Sequence, residues 1–151
     1  MEHQERRALE HSFTLSSGRE VIIVHPAFVK KLWPKVGPIL DRAVKRANGN
    51  LYLEDLLNDI LAERAVLWVV FYGKEVEGAF TTQVSTYHRR KVCAVPFVAG
   101  KNLREWIESY ELIKDWARAR GCDAVEGYAR KGWFRALRQM KPIYTVTRED
   151  L

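Results

Sequence analysis

The sequence predicts a mixed α/β domain, a sheet of six to seven strands flanked by about four helices. Three observations carry that reading. Residues 66–72 (VLWVVFY) are a nearly unbroken apolar run rich in strand formers, as expected in the middle of a sheet. Leu53, Leu56, Leu57, Ile60 and Leu61 fall at i, i+3, i+4, i+7 and i+8, the stripe of an amphipathic helix. Residues 91–98, 103–120 and 123–129 read as strand, helix and strand, a step that is normally a parallel crossover.

Taken in order, residues 1–12 are charged and read as a polar arm or an extension of the first strand. Residues 20–25 (EVIIVH) are short and β-branched, hence a strand, which Pro26 ends. Pro34 and Pro38 are expected to interrupt any helix that follows, because proline lacks the N–H that an interior helical residue donates. After Pro38, Ile39, Leu40, Ala43, Val44 and Ala47 keep helical spacing, and Gly49 stands where a helix C-terminus favours glycine. Asn50 is a suitable N-cap for the second helix. After the strand over 66–72, Gly73-Lys74-Glu75 signals a turn. A second strand covers 77–86, residues 87–90 (YHRR) are a polar connection, and a third strand covers 91–98. Pro96 inside this third strand cannot donate a ladder hydrogen bond, so a bulge or a local parting from a neighbour is expected there. A long helix over 103–120 aligns Leu103, Trp106, Ile107, Tyr110, Ile113, Trp116 and Ala117, and Gly121 stops it. A strand over 123–129, a short amphipathic helix over 132–140 carrying Trp133, Leu137 and Met140, and a last strand over 143–147 complete the order.

The totals agree with a single domain spanning 1–151. A chain of 151 residues buries roughly 70% of its unfolded surface. Eleven per cent aromatic residues, with five Trp, argue against disorder. No apolar run reaches the roughly 18 residues that span a bilayer. The charged N-terminus lacks the apolar core of a secretory signal. Two cysteines, Cys93 and Cys122, give neither a disulfide framework nor metal-ligand spacing, and point to a reduced, cytoplasmic setting. No His/carboxylate cluster suggests a metal, and no Walker-type or G-x-G-x-x-G loop occurs. The net charge of +6 favours anionic partners, whether nucleic acid or a phosphorylated cofactor, and equally serves solubility.

This order of elements resembles the GNAT (GCN5-related N-acetyltransferase) superfamily over about residues 20–147. In that family the fourth strand is bulged and splays from the fifth. The pantetheine arm of acyl-CoA lies in the gap, and the next helix points its N-terminus at the pyrophosphate. The resemblance makes residues 91–98 the fourth strand and 123–129 the fifth. It assigns acetyl-CoA, or another acyl-CoA, to Pro96, Phe97, Val98, Gly100, Lys101, Asn102, Leu103 and Arg104. Helix amides and dipole attract anions in general, and Lys101 and Arg104 add side-chain charge. The family's Gln/Arg-x-x-Gly-x-Gly/Ala pattern is altered at all three anchors, which become Ala99, Asn102 and Arg104. Asn102 substitutes for a glycine as a residue that visits the left-handed region readily. The family's tyrosine, general acid toward the thiolate, is missing from residues 132–140, and the nearest phenol is Tyr144. In flavour the sequence is similar to small GNAT-like proteins of tailed bacteriophages, some of them virion-associated.

From the residues themselves, Glu126 and Tyr128 alternate onto one face of their strand, where a carboxylate is able to take a proton from an amine. Glu126, Tyr128 and Tyr144 are thus the candidate catalytic groups. His88, Arg89 and Arg90 form either a solvated turn or a substrate-groove contact. Arg130, Lys131, Arg135, Arg138 and Lys141 form the densest basic cluster. Trp106, Tyr110, Trp116 and Trp133 are expected in the core. Cys93 and Cys122 behave as small hydrophobes.

Three functions follow. The first is N-acyl transfer from acyl-CoA to an unspecified amine. The second is a GNAT-fold structural or interaction protein without catalysis, with protein partners in a virion or other complex. The third is a basic nucleic-acid-binding module. None involves a membrane.

Overall fold

A computed structural model describes residues 11–128 and 136–151. Seven strands form one mixed sheet: β1 (Ser12–Thr14), β2 (Glu20–Val24), β3 (Val66–Tyr72), β4 (Glu75–Thr86), β5 (Lys91–Val95), β6 (Val98–Gly100) and β7 (Ala124–Gly127). Among the described residues three helices accompany them, α1 (Pro26–Lys45), α2 (Leu53–Leu61) and α3 (Ser109–Ala119), with a 3-10 turn at Leu103–Glu105. The strand order is β1-β2-β3-β4-β5-β7. All pairs are antiparallel except β5 with β7, the expected parallel crossover.

Strand alternation divides the core into two layers. On one face, Ile22, Val24, Leu67, Val69, Phe71 and Ala79 pack under α1 and α2. On the other, Val21, Trp68, Val70, Phe80 and Cys93 pack under Trp106, Ile113 and Trp116 of the α3 region. The continuous apolar run of β3 is explained by this double burial, with Leu67 through Val70 fully inaccessible.

Several local expectations need correction. Pro34 and Pro38 do not break the first helix, since α1 runs through both. The two prolines are four residues apart and both are exposed, so the carbonyls they leave unbonded face water. The opposite stripe of Val29, Leu32, Val36, Leu40 and Val44 is buried and holds the helix together. Asn50 does not cap α2. Tyr52 occupies that place, and its amide donates to Asp55 Oδ2 at 2.8 Å. The helix expected over 103–120 is divided: the 3-10 turn comes first, and α3 starts only at Ser109. The strand over 143–147 does not form, and residues 141–151 are exposed and irregular. Strand propensity needs a partner edge to act on, and the short β7 pairs only with β5 among the described residues. Residues 132–135 of the expected short helix, with Trp133, lie outside the described residues, as do residues 1–10.

The third strand behaves as Pro96 predicted. It is broken into β5 and β6, and both halves pair with the twelve-residue β4, at Gln83–Thr86 and at Gly78–Phe80. β7 follows only the first half: its ladder with β5 ends at Val95 and Gly127. No helix among the described residues is long and apolar enough to cross a membrane.

Candidate functional site

Among the described residues the β5–β7 ladder ends at Val95 and Gly127, and beside that end lies a cleft of about 1220 Å³. Val95, Pro96, Phe97 and Val98 line one wall, Val125, Gly127 and Tyr128 the other, with Trp106 and Tyr110 on the α3 side. The direction of the β6 backbone groups follows from two hydrogen bonds to β4. Thr81 N donates to Phe97 O at 3.0 Å, and Lys101 N donates to Glu77 O at 2.9 Å. Bonded and non-bonded positions alternate along an antiparallel pair. Val98 therefore turns its N–H and C=O away from β4, toward the cleft. Arg46 Nη2 reaches Val98 O from that side at 3.5 Å.

The chain then turns through Gly100 (φ 142°) into Asn102, which is left-handed as its residue type allows (φ 57°, ψ 38°). The 3-10 turn that follows consumes the amides of Glu105 and Trp106, which donate to Asn102 O and Leu103 O. The amides of Asn102, Leu103 and Arg104 have no backbone acceptor among the described residues. A left-handed residue followed by right-handed ones presents successive N–H groups to one side, a cradle for an anion. Trp106 Nε1 donates to Lys101 O at 2.8 Å, and its indole lies against Gly78, where a Cβ would come within 2.5 Å of Cζ2. The side chain of Lys101 is paired with Glu75. Arg104 is exposed and has no carboxylate partner among the described residues.

The remaining candidates gather at the far end of β7. Glu126 is half-buried and accepts a hydrogen bond from Tyr87 Oη at 3.3 Å. The charge of Glu126 raises the Tyr87 phenol above its ordinary pKa, and Tyr128 and Tyr144 also add to the effect. Partial burial raises Tyr128, with Tyr144 and Glu126 contributing. Both phenols are protonated donors at neutral pH. Tyr128 and Tyr144 are 63% and 60% exposed, so the cluster opens to solvent. Sequence reasoning missed Tyr87, whose only signal was its place in the connection between strands on the same side as Glu126. His88, Arg89 and Arg90 are exposed beside it. Arg138 and Lys141 are exposed, while Arg130, Lys131 and Arg135 lie outside the described residues.

A further boundary comes from the C-terminal segment. Arg148 donates to Asn48 O at 2.6 Å and to Asn50 Oδ1, which brings Val146 and Arg148 against the loop after α1 at one mouth of the cleft. Among the described residues no group of three or more His, Cys, Asp or Glu is placed to hold a metal.

No protein-family model matches the sequence, and no curated protein sequence does. Solved structures do match. A putative acetyl transferase from Pyrococcus furiosus superposes with a TM-score of 0.63 at 10% identity, covering 88% of this chain and 99% of that one. Glucosamine-6-phosphate N-acetyltransferase from Arabidopsis thaliana gives 0.60 at 11% identity, over 87% and 97%. A transcriptional regulator from Bacillus halodurans gives 0.62 at 12% identity, over 93% and 100%. The chain has a GNAT-like fold. The cleft beside the end of the β5–β7 ladder is the place where the sequence resemblance put the acyl-CoA arm. At these identities the likeness concerns the fold alone, and the chemistry has to come from the residues.

Proposed function

We propose that the protein is an N-acyltransferase that takes its acyl group from acyl-CoA, with acetyl-CoA the reference donor, and passes it to an amine. The observation that carries this reading is the outward-facing N–H and C=O of Val98 on the edge of β6 away from β4, an edge that no strand covers among the described residues. A pantetheine arm has amides that fit such an edge as an added strand would. The three amides at Asn102–Arg104, and the cation of Arg104, fit the diphosphate end of the donor. When bound, the thioester supplies an activated acyl carbon.

The chain's own residues would do the rest. Val98 N–H orients the arm and offers a donor where negative charge develops on the thioester oxygen. Trp106, Phe97 and Val98 exclude water from one wall of the cleft. Glu126 accepts a proton from the incoming amine, directly or through one water. Tyr87, held protonated by Glu126, keeps that carboxylate oriented. Tyr110 and Tyr128 line the cleft, and Tyr128, with Tyr144 near it, is the phenol assigned to the departing thiolate.

Incubation with acetyl-CoA and a panel of primary amines, with free thiol followed by colour, tests the reading. Thiol release that depends on amine supports it. Absence of acetyl-CoA binding at millimolar concentration ends it. Binding without turnover leaves a GNAT-like fold used for binding alone.

A further inference from the structure

The loop that would meet the donor's diphosphate carries Asn102 and Arg104 where the resemblance expects small residues, yet it is not left loose. Its support begins with an irregularity in the sheet. Val70 pairs with Gly78 and Phe71 with Val76, so Glu77 is an extra residue on β4, a β-bulge. A bulge re-aims the side chain it carries. Glu77 is buried, 3% exposed, and points at the root of the loop. Its carboxylate accepts from Arg19 Nε at 3.0 Å and Nη2 at 3.3 Å, and from Asn102 Nδ2 at 2.9 Å. Its carbonyl accepts from Lys101 N.

Arg19 is held in turn. Its guanidinium stacks 3.8 Å from the centre of the Tyr72 ring and lies 3.7 Å from a Glu105 oxygen. The β1–β2 turn adds Ser17 Oγ to Glu105 O, and Ser16 N and Oγ to the Glu108 carboxylate. Gly100 completes the fit, since a Cβ there would lie 2.3 Å from Glu77 O. The bulge, the glycine and the β1–β2 turn therefore fix one loop from three sides.

We propose that Arg19, Glu77 and Asn102 are positioning residues that hold the amides of Asn102, Leu103 and Arg104 for the diphosphate of a coenzyme A donor. The inference rests on the acyltransferase reading. Glu77 reads the loop through the Asn102 side chain, and Arg19 neutralises Glu77 so that no bare carboxylate faces the incoming anion. Asn102 thus has two tasks, to adopt the left-handed turn and to tether it. Glycine would perform only the first.

The test is Asn102→Gly, which keeps the backbone conformation accessible and removes the tether. Titration calorimetry compares coenzyme A with pantetheine, which lacks the diphosphate. Hydrogen exchange is followed at the amides of 102–104. The variant is expected to weaken coenzyme A about tenfold, leave pantetheine unchanged, and speed exchange at those amides. Glu77→Gln, which keeps the shape but loses the charge, is expected to do the same in milder form. Equal loss of both ligands, or coenzyme A binding as in the unmodified protein, overturns the proposal. If the unmodified protein binds neither ligand, the acyltransferase reading fails by itself. The exchange rates then decide the clamp alone: unchanged rates in Asn102→Gly overturn it.

Discussion

The guanidinium of Arg19 and the carboxylate of Glu77 meet through two hydrogen bonds at the base of the loop that leaves β6. The hydrogen bond from Arg19 is the largest cause holding the Glu77 carboxyl below the usual carboxylate range, and Asn102 adds to it. A carboxylate whose pKa is depressed by folding stabilises the protein above its unfolded pKa. That contribution is lost as pH falls through the depressed folded value. Arg19→Ala is therefore expected to melt well below the unmodified protein at pH 7. The difference should shrink as pH drops below the ordinary carboxylate range. Melting curves at pH 7, 5 and 3 check this, and a pH-independent difference contradicts it.

Close backbone approach gives a second expectation. Gly100→Ala places a methyl 2.3 Å from a carbonyl oxygen and 2.5 Å from the Gly78 Cα, at a φ that side chains rarely adopt. The β4–β6 pairing has to move, at a cost of roughly 1–3 kcal/mol from backbone strain alone. Gly121→Ala is the control, since its φ is also positive but the nearest contact is a Lys91 side-chain atom at 3.9 Å. Denaturant titration should rank Gly100→Ala as clearly the more destabilised of the two.

Much of this architecture was legible in the sequence. The β3 run, the α2 stripe and the strand–helix–strand step each carry a periodicity that burial enforces. Pro96 announced the break between β5 and β6 because a missing donor cannot be hidden in a ladder. Pro34 and Pro38 misled for the complementary reason: what a proline costs depends on whether the carbonyl it strands is wet, which sequence does not show. The Glu77 bulge had a faint signal in the Glu-Gly step within a strand. Its partner Arg19 is 58 residues distant and had none. The late start of α3 was invisible because Leu103, Trp106 and Ile107 continue the helical spacing while Trp106 turns to bond Lys101 O.

Thiol chemistry separates the two cysteines. Cys93 is fully buried, and burial pushes its thiol up to about 12. Cys122 is partly exposed. An alkylating reagent at pH 8 is expected to modify Cys122 alone in the folded protein and both after denaturation. Mass spectrometry of the native adduct counts them, and rapid double modification contradicts the burial of β5.

On the acyltransferase reading, Glu126→Gln removes the proton acceptor and should lower kcat by roughly 10²–10⁴-fold. KM for acetyl-CoA should hold, because Glu126 is not among the residues that line the cleft beside Val98. Tyr87→Phe loses only the 3.3 Å hydrogen bond to Glu126 and is expected to have the smaller effect. Steady-state kinetics of the two variants with one amine separates these roles. Equal activity in Glu126→Gln removes Glu126 from the chemistry.

The most direct measurement is hydrogen exchange at the Val98 amide, with and without coenzyme A. Val98 N–H should exchange fast in the free protein, faster than Ala99, whose amide the pairing with β4 holds, and should slow markedly when coenzyme A saturates the cleft. Protection of Val98 without ligand would mean that the strands are closed. No change at saturating coenzyme A would mean that the arm does not lie there. Either result contradicts the account.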